Sequence, residues 1–339
     1  MTERYSRQVL FEPIGKEGQR AIRKARVAIV GIGALGSVSS ELLVRAGVGT
    51  IRLIDRDYVD VTNLQRQSLF DEKSLEQSLP KAVAAAERLR QINSDVEIEE
   101  KVVDLNSNNV DTLIDDVDLL LDGTDNFETR FLLNDACVEK GLSWIYAACV
   151  GSYGMSFVIR PGKTPCLRCL METQPPPGTS PTCDTAGIIA PIVRAVVAYQ
   201  VTEALKILAG KEDDLVGAFL AIDIWKGSFD TFTPSAPKED CPACGRREFS
   251  YLAGQSEAQT VSLCGRNGVQ VRPSVSYNVS LEEVAERLRP LGAVKVNPHL
   301  VRFEIGDKAI VLFKDGRAII HGTDDISEAR SLYSRYVGS

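Results

Sequence analysis

The chain has 339 residues, 44% hydrophobic and 25% charged, the composition of a soluble globular protein with room for one large core and a smaller one. Its net charge of −7 and the lack of any basic run argue against nucleic acid as the main partner. The N-terminus carries charges from Glu3 onward and no apolar stretch, so it does not read as a signal peptide. The most apolar segment, residues 188–210, is interrupted by Arg194, Glu203 and Lys206. It reads as a helix of a soluble, cytoplasmic protein, with no membrane span expected. Only two histidines occur, His299 and His321, both near the C-terminal end, which excludes a histidine general base in the main domain. Eight cysteines without an export signal point to metal or thiol chemistry rather than disulfides.

In chain order, residues 1–24 read as an amphipathic N-terminal segment. ARVAIVG is a strand, GIGALG a glycine turn, SSELLVRAG a helix, and TIRLID a strand ending on Asp55. Together they form a βαβ unit whose apolar strands suit a parallel sheet buried on both faces. The helix KAVAAAERLRQIN, the segment VEIEEKVV, the strand DLLLDGTD and the helix NFETRFLLNDACVEKG follow, with Asn126 as a cap of the last. SWIYAACVG and GMSFVIRPG close the series. The alternation predicts an α/β fold, a doubly wound, mostly parallel Rossmann-like sheet with its ligand crevice at the strand C-terminal ends.

From Pro161 to Gly187 the chain turns irregular, with six prolines and three cysteines, as in a functional or a disordered loop. A helix is expected over about 187–209, strands within 215–235, then CPACG as a zinc-knuckle extension. These elements make one domain over residues 1–250. A small α+β domain is expected over 256–339: strand VSLCGRNGVQV, helix SLEEVAERLRPLG, strand LVRFEIG, hairpin AIVLFKDGRAII and helix SEARSLYSRYV.

Gly31, Gly33 and Gly36, in the run Gly31-Ile32-Gly33-Ala34-Leu35-Gly36, form G-x-G-x-x-G between a strand and a helix, and Asp55 lies nineteen residues after Gly36. Glycines permit a tight turn and close backbone approach, the helix N-terminus favours phosphate, and Asp55 is placed to accept bonds from ribose hydroxyls. Alone, the pattern suits a dinucleotide dehydrogenase or a merely structural turn. Asp57, Asn63, Arg66 and Gln67 follow the ribose position, Lys81 opens the next helix, and Asp125 and Asn126 end a strand in GTDN. Each charge taken singly also reads as a solvated surface group. As a cluster, basic groups and a carboxylate converging on a glycine loop suit ATP with Mg2+.

The ordered set R-Y-x-R-Q at Arg4–Gln8, GIGALGS, LIDxDxVxxxNLQRQ, PKA around Lys81 and GTDN resembles the adenylation domain of the ThiF/MoeB family, akin to ubiquitin-activating enzymes, over roughly residues 3–246. The resemblance implies ATP-dependent adenylation of the C-terminal glycine carboxylate of a ubiquitin-like sulfur-carrier protein with a Gly-Gly tail. It implies that Asp55 binds ribose, that Asn63, Arg66 and Lys81 contact phosphates, and that Asp125 binds Mg2+ or orients the reacting groups. Gly31, Gly33, Ala34, Gly36, Asp57 and Asn126 complete the implied nucleotide site. Arg7 is similar to the family's arginine that reaches into the neighbouring subunit's site, which implies a homodimer. C-D-T-A-G around Cys183 is similar to the ThiF branch, with a ThiS-like carrier of thiamin thiazole synthesis. The alternative is a MoaD-like carrier in molybdopterin synthesis. Rival classes are an NAD-dependent oxidoreductase and a scaffold with a catalytically dead nucleotide fold.

Cys166-Leu-Arg-Cys169 and Cys241-Pro-Ala-Cys244 are two C-x-x-C knuckles in proline-flanked loop sequence, which favours one structural zinc over a redox dithiol. The family carries the same four ligands. Cys137, Cys149 and Cys264 read as buried small hydrophobes. Cys183 stands in a polar loop just before a helix, where a helix dipole lowers a thiol pKa and adjacent Asp184 opposes the effect. It matches the family's loop cysteine that engages the carrier. No rhodanese-type cysteine loop occurs in the C-terminal unit, so sulfur is expected from a separate donor, a cysteine desulfurase or a rhodanese-like protein.

Overall fold

The strands after each turn are apolar on both faces because helices cover both faces of the sheet they build. In the computed structural model, which describes residues 3–175, 179, 181–254, 260–263, 267–273 and 278–338, these strands are β1 (Arg26–Val30), β2 (Thr50–Asp55), β3 (Glu97–Val102), β4 (Leu119–Asp122) and β5 (Trp144–Val150). They pair in parallel in the order β3-β2-β1-β4-β5. Side chains alternate between two cores: Val27 and Ile29 join the layer under the helices Ala34–Ala46, Lys81–Ile92 and Ala190–Leu208, and Ala28 and Val30 join the layer under Phe127–Lys140. β1 has β2 on one side and β4 on the other, so the strand order reverses there and their carboxyl ends open a crevice.

The sheet does not remain parallel. A two-residue turn at Gly151-Ser152 is too short for a crossover, so β6 (Tyr153–Ile159) returns antiparallel to β5. β7 (Phe219–Asp223) and β8 (Ser228–Phe232) extend the sheet antiparallel to eight strands. The segment read as irregular over Pro161–Gly187 contains two short helical turns, Leu167–Leu170 and Cys183–Ala186. The helix expected over about 187–209 spans Ala190–Leu208, with Pro191 in its first turn, where no intrahelical N–H is needed.

The N-terminal segment forms Glu3–Tyr5, Ser6–Leu10 and Gly15–Ile22. Buried Tyr5 accepts a hydrogen bond from Asn93 Nδ2 at 2.8 Å, and the amides of Gln8 and Gln19 both donate to the Ala46 carbonyl at 3.0 Å. The glutamine bonds tie the segment to the C-terminal end of the helix Ala34–Ala46, and the Tyr5 bond ties it to the end of the helix Lys81–Ile92.

Residues divide into two units, 1–256 and 257–339. In the second, β9 (Thr260–Leu263), β10 (Gly268–Val271), β11 (Ala293–Val296), β12 (Leu300–Ile305), β13 (Lys308–Phe313) and β14 (Ala318–His321) form an antiparallel sheet in the order β11-β12-β13-β14-β10-β9. The helices Leu281–Leu288 and Ile326–Tyr336 bury Leu281, Val284, Ala285, Ala329 and Tyr333 with its core. VSLCGRNGVQV is thus two strands rather than one, and Cys264 between them lies outside the described residues. β11 was not legible in sequence, since AVKV is short and mostly exposed. Among the described residues no helix is long and apolar enough to cross a membrane.

Candidate active site

The glycine turn is shaped by backbone packed on backbone. Gly31 sits at φ +84°, and a Cβ there would lie 2.7 Å from the Gly123 carbonyl. A Cβ on Gly36 would lie 1.9 Å from the Gly31 oxygen, and one on Gly123 2.2 Å from the same atom. These three glycines therefore lock the ends of β1 and β4 and the start of the helix Ala34–Ala46 together. Gly33 differs: a Cβ there would meet only Gln67 Nε2, at 3.7 Å. Its missing side chain leaves space before Ala34, where the first helical N–H groups and the helix dipole favour an anion.

Asp55 ends β2 against this turn. Its two oxygens accept from Ile32 N at 2.6 Å and Asp57 N at 2.7 Å. Burial pushes its carboxyl above the ordinary carboxylate range; Lys81 opposes the shift and Asp57 reinforces it. Lys81 is buried at the start of the helix Lys81–Ile92, its Nζ 2.8 Å from Asp57 Oδ2, and its N–H donates to the Asp57 carbonyl at 2.9 Å. Asn63 is 2% exposed and closes a capping box: its Oδ1 accepts from Asp60 N at 3.1 Å, and Asp60 accepts from Thr62 N at 2.9 Å. Half-buried Arg66 donates from Nη1 to the Thr62 carbonyl at 2.7 Å. Gln67 is 3% exposed, and its Oε1 has no partner among the described residues.

On the β4 side, Asp125 is exposed, and Asn126 caps the helix Phe127–Lys140 by accepting from Thr129 N at 2.9 Å. Behind this loop stands a pair that the sequence did not single out. Asp122 is fully buried and accepts from Arg130 Nε at 2.9 Å and from Thr124 N at 2.8 Å. Arg130 Nη2 also donates to the carbonyls of Thr124 at 2.7 Å and Ala147 at 3.0 Å. One buried guanidinium thus joins the β4 end, the GTDN loop and β5. Burial would lower its pKa, but Asp122 outweighs that and holds it above the ordinary arginine value. Arg56 was also missed: it pairs with Asp104 at 3.2 Å, with Asp125 and Asp57 acting on its charge. Neither arginine fits a motif, and burial of a charge cannot be read from a chain in which most arginines are solvated.

Gly31, Gly33, Asp55, Asp57 and Lys81 thus converge beside Gly123 and Thr124. Arg7 does not join them. It is exposed, without a hydrogen bond or ion pair among the described residues. Its neighbour Gln8 is tied to Ala46, the far end of a 13-residue helix whose start faces the crevice, about 18 Å along the axis.

The four knuckle cysteines come together: the sulfurs of Cys166, Cys169, Cys241 and Cys244 lie within 4.8 Å of one another. Cys166–Cys241 is 3.6 Å, Cys166–Cys169 3.9 Å and Cys169–Cys244 3.3 Å. Sulfurs about 2.3 Å from a tetrahedral ion stand roughly 3.8 Å apart, so this arrangement can hold one metal. The Lys238 N–H donates to Cys169 Sγ at 3.5 Å and orients that ligand. Cys137 is a buried small hydrophobe, and burial pushes its thiol up. Cys149 is half-buried, not a plain core residue, and Cys183 Sγ donates to its carbonyl at 3.5 Å.

The doubly wound sheet thus carries a glycine turn at its switch-point crevice and a four-cysteine cluster, and the ThiF family profile, that of an adenylating enzyme class, matches residues 5–243. The chain belongs to the ThiF family. It is 48% identical over 340 residues, covering 100% of both chains, to "Sulfur carrier protein ThiS adenylyltransferase" of Bacillus subtilis (strain 168). It is 36% identical to "Sulfur carrier protein adenylyltransferase" of Thermus thermophilus, over 72% of this chain and 90% of that one. Among solved structures, E. coli MccB with ATP superposes with a TM-score of 0.61 at 22% identity, covering 72% of this chain and 75% of that one, a likeness of fold.

Proposed function

We propose that this protein uses ATP to adenylate the C-terminal glycine carboxylate of a ThiS-like sulfur carrier ending in Gly-Gly, preparing it for thiocarboxylate formation. The observation that carries the reading is the crevice at the β1–β4 switch: an open glycine at a helix N-terminus, backed by Asp55 and by the Lys81–Asp57 pair. Full-length similarity to the B. subtilis adenylyltransferase supports the choice of carrier.

The carrier carboxylate attacks the α-phosphorus of ATP, the bond to the β-phosphate oxygen breaks, and pyrophosphate leaves; no protein nucleophile is needed. Asp55 would accept from the ribose hydroxyls, and Asn63, Arg66 and Lys81 would face the phosphates, with Gly31, Gly33, Ala34, Gly36, Asp57 and Asn126 shaping the site. Positive charge held in a low-dielectric crevice is worth most where negative charge develops. Asp125 would hold Mg2+, which neutralises phosphate charge when bound. Arg7, beside the end of the helix Ala34–Ala46 that lies away from its own crevice, would serve a second copy's crevice in a homodimer. The cysteine cluster would hold Zn2+ and pin the 161–187 segment to the end of the first domain. Cys183 would act after adenylation, forming a covalent link with the carrier as sulfur arrives from a separate cysteine desulfurase or rhodanese-like donor. The reaction would run in the cytoplasm, with residues 1–250 as the adenylation domain.

The test is ATP–pyrophosphate exchange with a purified carrier. Exchange should require the carrier and vanish when its glycine tail is trimmed. Reduction of NAD with no exchange for any carrier would refute the reading.

A further inference from the structure

Cys149 is the neighbour that the sequence did not suggest for Cys183. Two fixed pieces of backbone bring them together. Gly151 at the end of β5 donates to the Gly187 carbonyl at 2.8 Å, and Ile189 N donates back to the Gly151 carbonyl at 3.0 Å. This bridge straps the turn Cys183–Ala186 against the end of β5 and leads into the helix Ala190–Leu208. Cys183 Sγ consequently lies 3.5 Å from the Cys149 carbonyl, a contact between residues 34 apart in sequence.

The Cys149 side chain packs with the core layer under Ala190–Leu208, the layer that Ile188 and Ile189 of the strap also join. Its antiparallel partner on β6 is Gly154, where a Cβ would stand 3.0 Å from the Cys149 sulfur and 2.4 Å from Val196. The glycine leaves the sulfur the room that any side chain would take. Neither cysteine is in a disulfide.

We propose that Cys149 and Cys183 form a reversible oxidative modification site, closing to an intramolecular disulfide when a peroxide oxidises Cys183. In the first step Cys183 reduces hydrogen peroxide, forming a sulfenic acid and water. In the second, Cys149 sulfur attacks Cys183 Sγ; the S–O bond breaks, and the released hydroxide takes the Cys149 proton as a second water. A dithiol reductant restores both thiols. Burial, with Cys183 beside it, pushes the Cys149 thiol up to about 12, so it carries the proton that the released hydroxide takes. The disulfide withdraws Cys183 from any covalent link with the carrier, a consequence that rests on the reading of Cys183 above. The bond itself does not. Among the described residues the bonds of the strap involve neither the glycine turn nor Asp55 or Lys81, so adenylation continues in the oxidised protein.

The experiment treats the full-length protein with stoichiometric hydrogen peroxide, blocks remaining thiols with maleimide and maps the peptides without reduction. The expected result is a cross-linked Cys149–Cys183 peptide, a parallel loss of maleimide at both residues, and reversal by dithiothreitol. In Cys149→Ser the cross-link is absent and Cys183 stops at the sulfenic acid, which a second equivalent of peroxide carries on to the sulfinic acid. Maleimide on both residues after peroxide, or the same Cys183 product in wild type and Cys149→Ser, would overturn the assignment. Carrier-dependent exchange should persist in the disulfide form, and its loss would overturn the claimed separation from adenylation. A reduced enzyme that forms no covalent carrier adduct would fault the reading of Cys183, not the disulfide.

Discussion

Two glycines of one motif should respond oppositely to the same methyl group. In Gly36→Ala the new Cβ would stand 1.9 Å from the Gly31 oxygen. Unstrained contact needs about 3.5 Å, so the helix or the turn must move by roughly 1.5 Å. Both sides are main chain, and Gly31 is itself wedged against Gly123. Overpacking a tight core costs about 1–3 kcal/mol, and rigid partners put this case at the upper end. In Gly33→Ala the nearest atom is Gln67 Nε2 at 3.7 Å, an ordinary contact. The stability change should stay within about 1 kcal/mol, the scale of exchanging a glycine N-cap for alanine. That methyl would instead occupy the face where a phosphate meets the helix N-terminus, and a loss of about 1.4 kcal/mol there is tenfold in affinity. Urea unfolding and the KM for ATP in pyrophosphate exchange separate the two effects. Gly36→Ala should lose stability, and Gly33→Ala should raise KM at least about tenfold with near-normal unfolding. A Gly33→Ala protein as unstable as Gly36→Ala, or one with unchanged KM, would refute the reasoning.

Arg130→Met strands the fully buried Asp122 carboxylate, so urea unfolding should show a loss of about 3–5 kcal/mol, with a smaller loss in Asp122→Asn/Arg130→Met; a loss below about 1 kcal/mol would remove the pair from its positioning role. Cys166→Ser should lose zinc by elemental analysis and melt at lower temperature, and freshly purified wild type without metal would argue against the site. Arg7→Ala and Asp125→Ala should each abolish exchange alone, yet a co-expressed mixture should regain part of it, because each mixed dimer keeps one intact crevice. No recovery in a mixture shown to contain mixed dimers would assign Arg7 to its own chain's site.

Much of this protein was legible from its sequence alone, and for local reasons. Runs such as RVAIV and LLLD are apolar without alternation because their sheet is covered on both faces, and a period of two or 3.6 survives in any one chain. Glycine spacing, the capping asparagine at Asn126 and the paired C-x-x-C knuckles carry their chemistry within a few residues of sequence. Tertiary structure alone decided the contacts between segments far apart in the chain. It turned β6–β8 antiparallel, placed Arg130 on Asp122, Thr124 and Ala147, and brought Cys183 to Cys149 across 34 residues. It also separated Gly33 from Gly36. In sequence both are glycines of one fingerprint, but only packing shows that Gly36 makes room for backbone and Gly33 leaves room for something else. The reason is common to all of these: a side chain's burial and partner depend on what the fold lays over it, and no local pattern encodes that.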